Sequence, residues 1–193
     1  MRFLAFMGGL AILVAIGAAV FFFGGFYDVA ARDKDPAAVA WALGRIRDAA
    51  VIRSAENLRA PDNFEDSAQT IAGARAFAAR GCANCHGAPG VKWAKFSEGL
   101  NPDPPDLKES AGELTARQIF WTIRNGLRMT AMPSFGAIGA SDGEIWSIAA
   151  FVKHLPTVTE ENYRQWTASA PVATAPPPAT AAPEPTAAAP AKP

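Results

Sequence analysis

The chain has 193 residues, enough for one modest domain with extensions, since domains commonly run to about 100–150 residues. Its 18 basic residues balance 18 acidic ones, so it lacks the electrostatic footprint of a nucleic-acid binder, and no nucleic-acid partner is expected.

From Phe3 to Tyr27 no residue is charged. As a helix rising about 1.5 Å per residue, this run extends some 37 Å, more than a hydrocarbon core of about 30 Å. A cleavable signal peptide is the competing reading, with Arg2 as its positive start and the small residues of Val29–Ala31 as a cleavage point. The length of the run favours an uncleaved transmembrane anchor over residues 1–27. A short amino-terminal tail stays cytoplasmic while the remainder is translocated. The expectation is a single-pass protein of a bacterial inner membrane, amino end cytoplasmic and the remainder periplasmic.

Residues 28–62 read as a linker containing an amphipathic helix. In "DPAAVAWALGRIRDAAVIRSAENL" Asp35 is placed to cap, Pro36 suits the first turn, and Val39, Leu43, Ile46 and Ala50 share a face. Arg45, Arg47 and Arg53 make it basic, as expected of a spacer helix that packs on the globular domain or on headgroups. "RAPDNFED" breaks the pattern and marks a boundary near Pro61.

Residues 63–166 are the expected working domain. A helix begins near Asp66 or Ser67 and stops at Gly81, so that Arg80 and Gly81 simply end it. A second follows the capping box of Thr115 and Gln118 and ends at Gly126; a third follows Ser141 and Glu144 and stops before Pro156. No segment alternates for long enough to be a strand, and "GAPGVKWAKFSEGLNPDPPDL" and "GLRMTAMPSFGAIGA" are loops by their Gly and Pro content. Three short helices and two long loops have little core of their own, which predicts that something fills the middle. Residues 167–193 are read as a disordered tail: from Ala168 to Pro193 there are 11 Ala and 8 Pro and no aromatic residue, too little apolar surface to offset ordering entropy.

The chain's only cysteines stand in "RGCANCHGAPG". Cys82-x-x-Cys85-His86 is the spacing of c-type haem attachment, with two thioethers to the vinyl groups and the adjacent imidazole on the iron. A zinc site needs about four ligands, and His154 is the only other His or Cys. A redox dithiol belongs beside a βαβ pattern, which is absent. "GLRMTAMPSFG" offers Met129 and Met132 as a thioether sixth ligand, a soft donor that raises the potential. Met132, before a proline that fixes the local backbone, is the better placed.

In order, "GARAFAARGCANCHG", "PPDL", "NGLRMTAMPSFG" and "DGEIWSIAAFVKHL" resemble class I cytochromes c, particularly small membrane-anchored monohaem members. The resemblance covers Ser67 to Pro156. It implies an all-α class I cytochrome c fold, three to five short helices around one covalently bound haem c, with Cys82 and Cys85 as attachment points, His86 as proximal ligand and Met132 as distal ligand. It also implies that Gly73 and Phe77 cross Ile148 and Phe151. Pro105 and Leu107 match the positions of a carbonyl that accepts the proximal imidazole N–H and of an apolar residue that covers the haem. Because the loop from His86 is longer than in compact members, the carbonyls of Pro104 and Pro105 are both candidates.

Trp121 and Trp146 read as core residues near the porphyrin. Trp93, Arg124 and Arg128 are candidate donors to haem propionates, and His154 reads as exposed. The implied function is single-electron transfer between periplasmic-side redox partners of a respiratory or photosynthetic chain, without bond-making chemistry. Such partners are a quinol-oxidising complex, a dehydrogenase or a terminal oxidase. The alternative is a haem c subunit of an oxidase, reductase or dehydrogenase; a gas sensor or peroxidase requires an open sixth site.

Overall fold

In a computed structural model of the protein, residues 2–26 and 28–168 are described; the predicted tail from residue 169 onward lies outside them. The elements are α1 (Arg2–Phe23), α2 (Ala37–Ala55), α3 (Ser67–Ala79), α4 (Ala83–His86), α5 (Leu107–Ser110), α6 (Ala116–Asn125), α7 (Asp142–His154) and α8 (Glu160–Thr167). Single 3-10 turns occupy Lys95–Gly99 and Leu155–Thr157. There is no strand among the described residues, and the fold is all-α. Within α1, Ala5–Phe23 is long and apolar enough to cross a membrane.

The three expected helices of the working domain form where their end signals stand. Asp66 occupies the capping position of α3, and Gly81 beyond its end takes a left-handed φ of 72°. At α6 both halves of the Thr115/Gln118 box are present and Gly126 stops the helix at φ 68°. At α7 the Ser141 hydroxyl accepts from Glu144 N, whereas the Glu144 carboxylate turns to Arg80. The expected cap of α2 is corrected by one residue: its helix starts at Ala37, so Pro36 and not Asp35 takes the capping position, and no side-chain cap forms.

The core is the crossing of α3 on α7. A Cβ at Gly73 would overlap the Ser147 carbonyl oxygen and lie 2.8 Å from Phe151 Cβ, so only glycine admits this approach. Phe77 and Phe151, each at most 1% exposed, meet with ring centroids 5.2 Å apart. Phe151 stacks on Tyr163 at 5.7 Å, and Trp146 stacks on Phe120 at 4.0 Å with Phe64 edge-on. Tyr163 belongs to α8, a polar helix that the sequence reading left out; it folds back so that Arg75 Nε donates to the Trp166 carbonyl at 2.8 Å. Trp146 is thus a core residue, stacked within the domain.

The linker helix α2 is docked on α6. Its buried residues are Val51 and Ala55, not the expected face of Val39, Leu43, Ile46 and Ala50; Ile46 is 66% exposed. The correction has a tertiary cause, because the α2 carboxyl end is drawn onto α6 by Arg117 Nη1 donating to the Glu56 carbonyl at 2.9 Å. At the other end Lys34 pairs with Asp103 at 2.6 Å and Asn101 Nδ2 donates to the Asp33 carbonyl at 3.2 Å.

The crossing predicts contrasting glycine substitutions. Gly73→Ala forces backbone apart and should destabilise the domain by about 3 kcal/mol. Gly44→Ala in α2 meets only Arg47 Nη2 at 3.8 Å and should be neutral or stabilising by up to about 1 kcal/mol. Chemical denaturation of the two variants checks both signs.

Candidate haem site

The end of α3 sets the position of the first cysteine. Cys82 N donates to the Phe77 carbonyl at 3.1 Å and Gly81 N to that of Ala78 at 3.1 Å, a Schellman closure. The left-handed Gly81 turns the chain straight into α4, where Cys85 N and His86 N both donate to the Cys82 carbonyl, at 3.2 and 3.1 Å. Cys82 and Cys85 therefore stand one turn apart on one side of this turn, both as free thiols. Burial pushes the Cys82 thiol up to about 12 and raises Cys85 as well. Neither is the lowered thiolate that dithiol redox chemistry requires.

His86 is half-buried, and its Nδ1 lies 2.9 Å from the Pro105 carbonyl. A carbonyl only accepts, so Nδ1 carries the proton and Nε2 keeps its lone pair for a ligand. Burial lowers the affinity of this imidazole for a second proton, against the opposing pull of Pro105 and Asp106, which favours the neutral form that ligation needs. Of the two candidate carbonyls it is Pro105 that accepts. Its place is fixed by Asp106, which caps α5 by accepting from Lys108 N at 2.7 Å and whose carbonyl accepts from Ser110 Oγ at 2.9 Å. Leu107 opens α5 and packs, half-buried, on the core.

The methionine loop is closed onto the end of α6. A Cβ at Gly126 would lie 2.7 Å from Pro133 C and Ser134 N, so the left-handed glycine lets the chain after Met132 lie against the helix end. Leu127 N donates to the Met132 carbonyl at 3.2 Å, Thr130 Oγ1 accepts from Met132 N at 3.1 Å, and Ser134 Oγ donates to the Arg124 carbonyl at 2.8 Å. Phe135 anchors the far side, 7% exposed. The two methionines are thereby separated in environment. Met132 is half-buried against the core, whereas Met129 is 73% exposed with a strained φ of 58°. Cys82, Leu107 and Met132 all pack on the same hydrophobic cluster; a separate cleft of about 1630 Å³ on the far side of Met132, walled by Trp121, Leu127, the side of α2 and Phe21 and Phe22 at the end of α1, is not lined by Cys82, Cys85, His86 or Leu107.

Residues 68–152 match the family model described as cytochrome c oxidase, cbb3-type, subunit III. Those residues are a monohaem c-type cytochrome domain. No curated protein and no solved structure matches the chain. A cytochrome c domain implies haem c and electron transfer. The residues on hand fit that group: two free thiols one turn apart, an imidazole whose Nδ1 is occupied and whose Nε2 is left over, and a half-buried thioether on the same hydrophobic cluster as Cys82.

Some residues differ from their sequence reading. Arg80 does more than end a helix: its Nε and Nη2 donate to both oxygens of Glu144 at 2.7 and 2.8 Å, tying the turn before Cys82 to the first turn of α7. Only proximity in space reveals this pair. His154 is half-buried rather than exposed, with Nδ1 2.8 Å from the Ala150 carbonyl and Nε2 3.4 Å from Glu65. Arg124 is committed to Asp142 at 2.8 Å, while Arg128 lines the cleft beside Met132 and Trp93 is 51% exposed.

Arg80 holds the Glu144 carboxyl below its ordinary value of 4.5, chiefly by hydrogen bonding. A depressed folded value means the pair stabilises fully above the ordinary value and fades as pH falls through the lowered one. Arg80→Ala should cost about 1 kcal/mol at neutral pH, half-buried bidentate pairs exceeding exposed ones. Thermal unfolding followed from about pH 7 down to about pH 3 should show the gap between wild type and variant narrowing in acid.

Proposed function

We propose that this protein is a membrane-anchored, His/Met-ligated cytochrome c that carries single electrons between periplasmic-side redox partners. The observation that carries the reading is the His86 Nδ1 bond to the Pro105 carbonyl, which leaves Nε2 as the one ring nitrogen available to a metal, on the turn that holds both cysteines. When bound, the haem supplies an Fe(III)/Fe(II) couple. Cys82 and Cys85 would hold it by thioethers, His86 Nε2 and the Met132 sulfur would ligate its iron, and Leu107 would cover it. Two protein ligands leave no open position for a substrate, so the chain's own contribution is to hold the ligands, exclude water and keep the His86 proton at Nδ1.

Around this site we divide the chain into an anchor over residues 1–27, a linker over 28–62, the haem domain over 63–166 and a tail over 167–193. The apolar Ala5–Phe23 stretch of α1 supports anchorage, with the amino end cytoplasmic and the haem domain periplasmic in a bacterial inner membrane. The match to an oxidase subunit family supports a second reading, a haem c subunit of a terminal oxidase complex in place of a diffusing carrier. Purification from membranes in mild detergent, with a haem spectrum and identification of co-purifying chains, separates the two: a stoichiometric oxidase partner selects the subunit, and a haem protein alone selects the carrier.

The ligand assignment has its own test. Met132→Ala should abolish the methionine-to-iron absorption band and lower the midpoint potential, while Met129→Ala keeps both; the opposite pattern exchanges their roles. Carbon monoxide should not bind the intact ferrous protein at neutral pH, and ready binding would overturn His/Met ligation in favour of a sensor or peroxidase.

A further inference from the structure

The cleft of about 1630 Å³ on the far side of Met132 is bounded by three separate parts of the chain: Phe21 and Phe22 of α1, Val39, Leu43 and Ile46 of α2, and Trp121 of α6. Phe22 is 78% and Ile46 66% exposed, so the apolar lining continues out to the mouth. A contiguous apolar surface of this kind marks a site of protein or membrane contact. Phe21 and Phe22 also end the Ala5–Phe23 stretch that is long and apolar enough to cross a bilayer. With that stretch in the membrane, the cleft opens where hydrocarbon gives way to headgroups. The apolar strip of α2 over residues 39–46 is about 10 Å long, within the roughly 15 Å depth of one leaflet's chains. Most charges at the rim are already committed: Lys34 pairs with Asp103, Arg47 pairs with Asp48, and the Asp28 carboxylate accepts from Ala30 N. Arg128, exposed in the methionine loop, also lines the cleft and has no carboxylate partner among the described residues. A guanidinium at the mouth of an apolar slot matches the phosphate that heads an acyl chain.

We propose that this cleft seats a membrane phospholipid, with an acyl chain against Val39, Leu43, Ile46 and Trp121 and the phosphate on Arg128. The inference rests on the anchorage by α1 proposed above, because the Phe21 and Phe22 wall brings lipid to the opening when α1 lies in the bilayer. The occupant follows from that continuity: the cleft shares a wall with the segment that hydrocarbon surrounds. Lipid in this place joins anchor to domain, and the domain rests on the bilayer with its methionine loop at the headgroups.

The test uses the full-length holoprotein reconstituted in vesicles of phosphatidylcholine and phosphatidylglycerol, a small share of the phosphatidylcholine carrying a diazirine in its acyl chain. After photolysis, peptide mass mapping locates the lipid adducts. Wild type should carry them on α1 and also on residues 39–46 and 127–132. Leu43→Glu sets a carboxylate in the slot and should lower the adducts on those two segments, relative to α1, by about tenfold or more. Trp41→Glu, about 160° away round the helix, 69% exposed and outside the cleft, should leave the ratio unchanged. Ile46→Glu, at an exposed position, gives the same reading where Leu43→Glu fails to fold. Arg128→Ala should lower the adducts on 127–132, and Arg128→Lys should restore them. Adducts confined to α1, equal on both sides of α2, or insensitive to the substitutions at Leu43, Ile46 and Arg128 overturn the proposal and leave the anchor in place. Protein that an alkaline wash strips from the vesicles overturns the anchor reading, and this inference with it.

Discussion

The close approach of α3 to α7 at Gly73 is the contact from which the remainder of the domain is positioned. With no Cβ between them, the backbone of one helix rests on the Ser147 carbonyl of the other, and Phe77 and Phe151 interlock one turn further on. Each end of that crossing carries part of the site. The carboxyl end of α3 closes in the Schellman turn that launches Cys82, Cys85 and His86, and Arg80 fastens this end to Glu144 at the start of α7. The same core then receives Cys82, Leu107 and Met132 on its surface. A small domain of short helices gains rigidity in this way from one dense contact rather than from a broad core.

The segments between the helices are less irregular than their Gly and Pro content suggests, because their polar groups are assigned. Asp106 caps α5 and so holds the Pro105 carbonyl where the His86 ring reaches it. Thr130 ties Leu127 to Met132, and Gly126 lets the returning chain lie on the end of α6. Both loops thus present a single group at a defined place, a carbonyl in one and a thioether in the other. In the proposed His/Met ligation, groups held in place this way would limit rearrangement when an electron arrives or leaves.

Local chemistry made much of this legible in the sequence. The cap residues Thr115, Ser141, Gly81 and Gly126 act within one turn of themselves, so their helices could be bounded without tertiary information. The Cys82–His86 spacing is a covalent pattern and equally local. What escaped depends on contacts across the fold. Helix α8 is polar except for Tyr163 and Trp166, and its burial is evident only once Phe151 and Arg75 are there to receive it. The apolar periodicity of α2 was visible, but which side packs is decided by Arg117 and α6, so Val51 and Ala55 are buried in place of the expected set. The choice of Pro105 over Pro104 follows likewise from the cap of a four-residue helix that no periodicity announces.

The docking of α2 also fixes how far the redox domain can travel. With that helix held on α6, only residues 24–36 separate the end of α1 from it, a connection that reaches at most about 45 Å when fully extended. Were α2 free, its 19 residues would add to the leash. On the proposed anchoring by α1, the folded domain would be confined to a shallow shell around the point where α1 leaves the bilayer. A redox partner inside that shell meets it at an effective concentration near the millimolar range, whereas one beyond it is out of reach at any affinity.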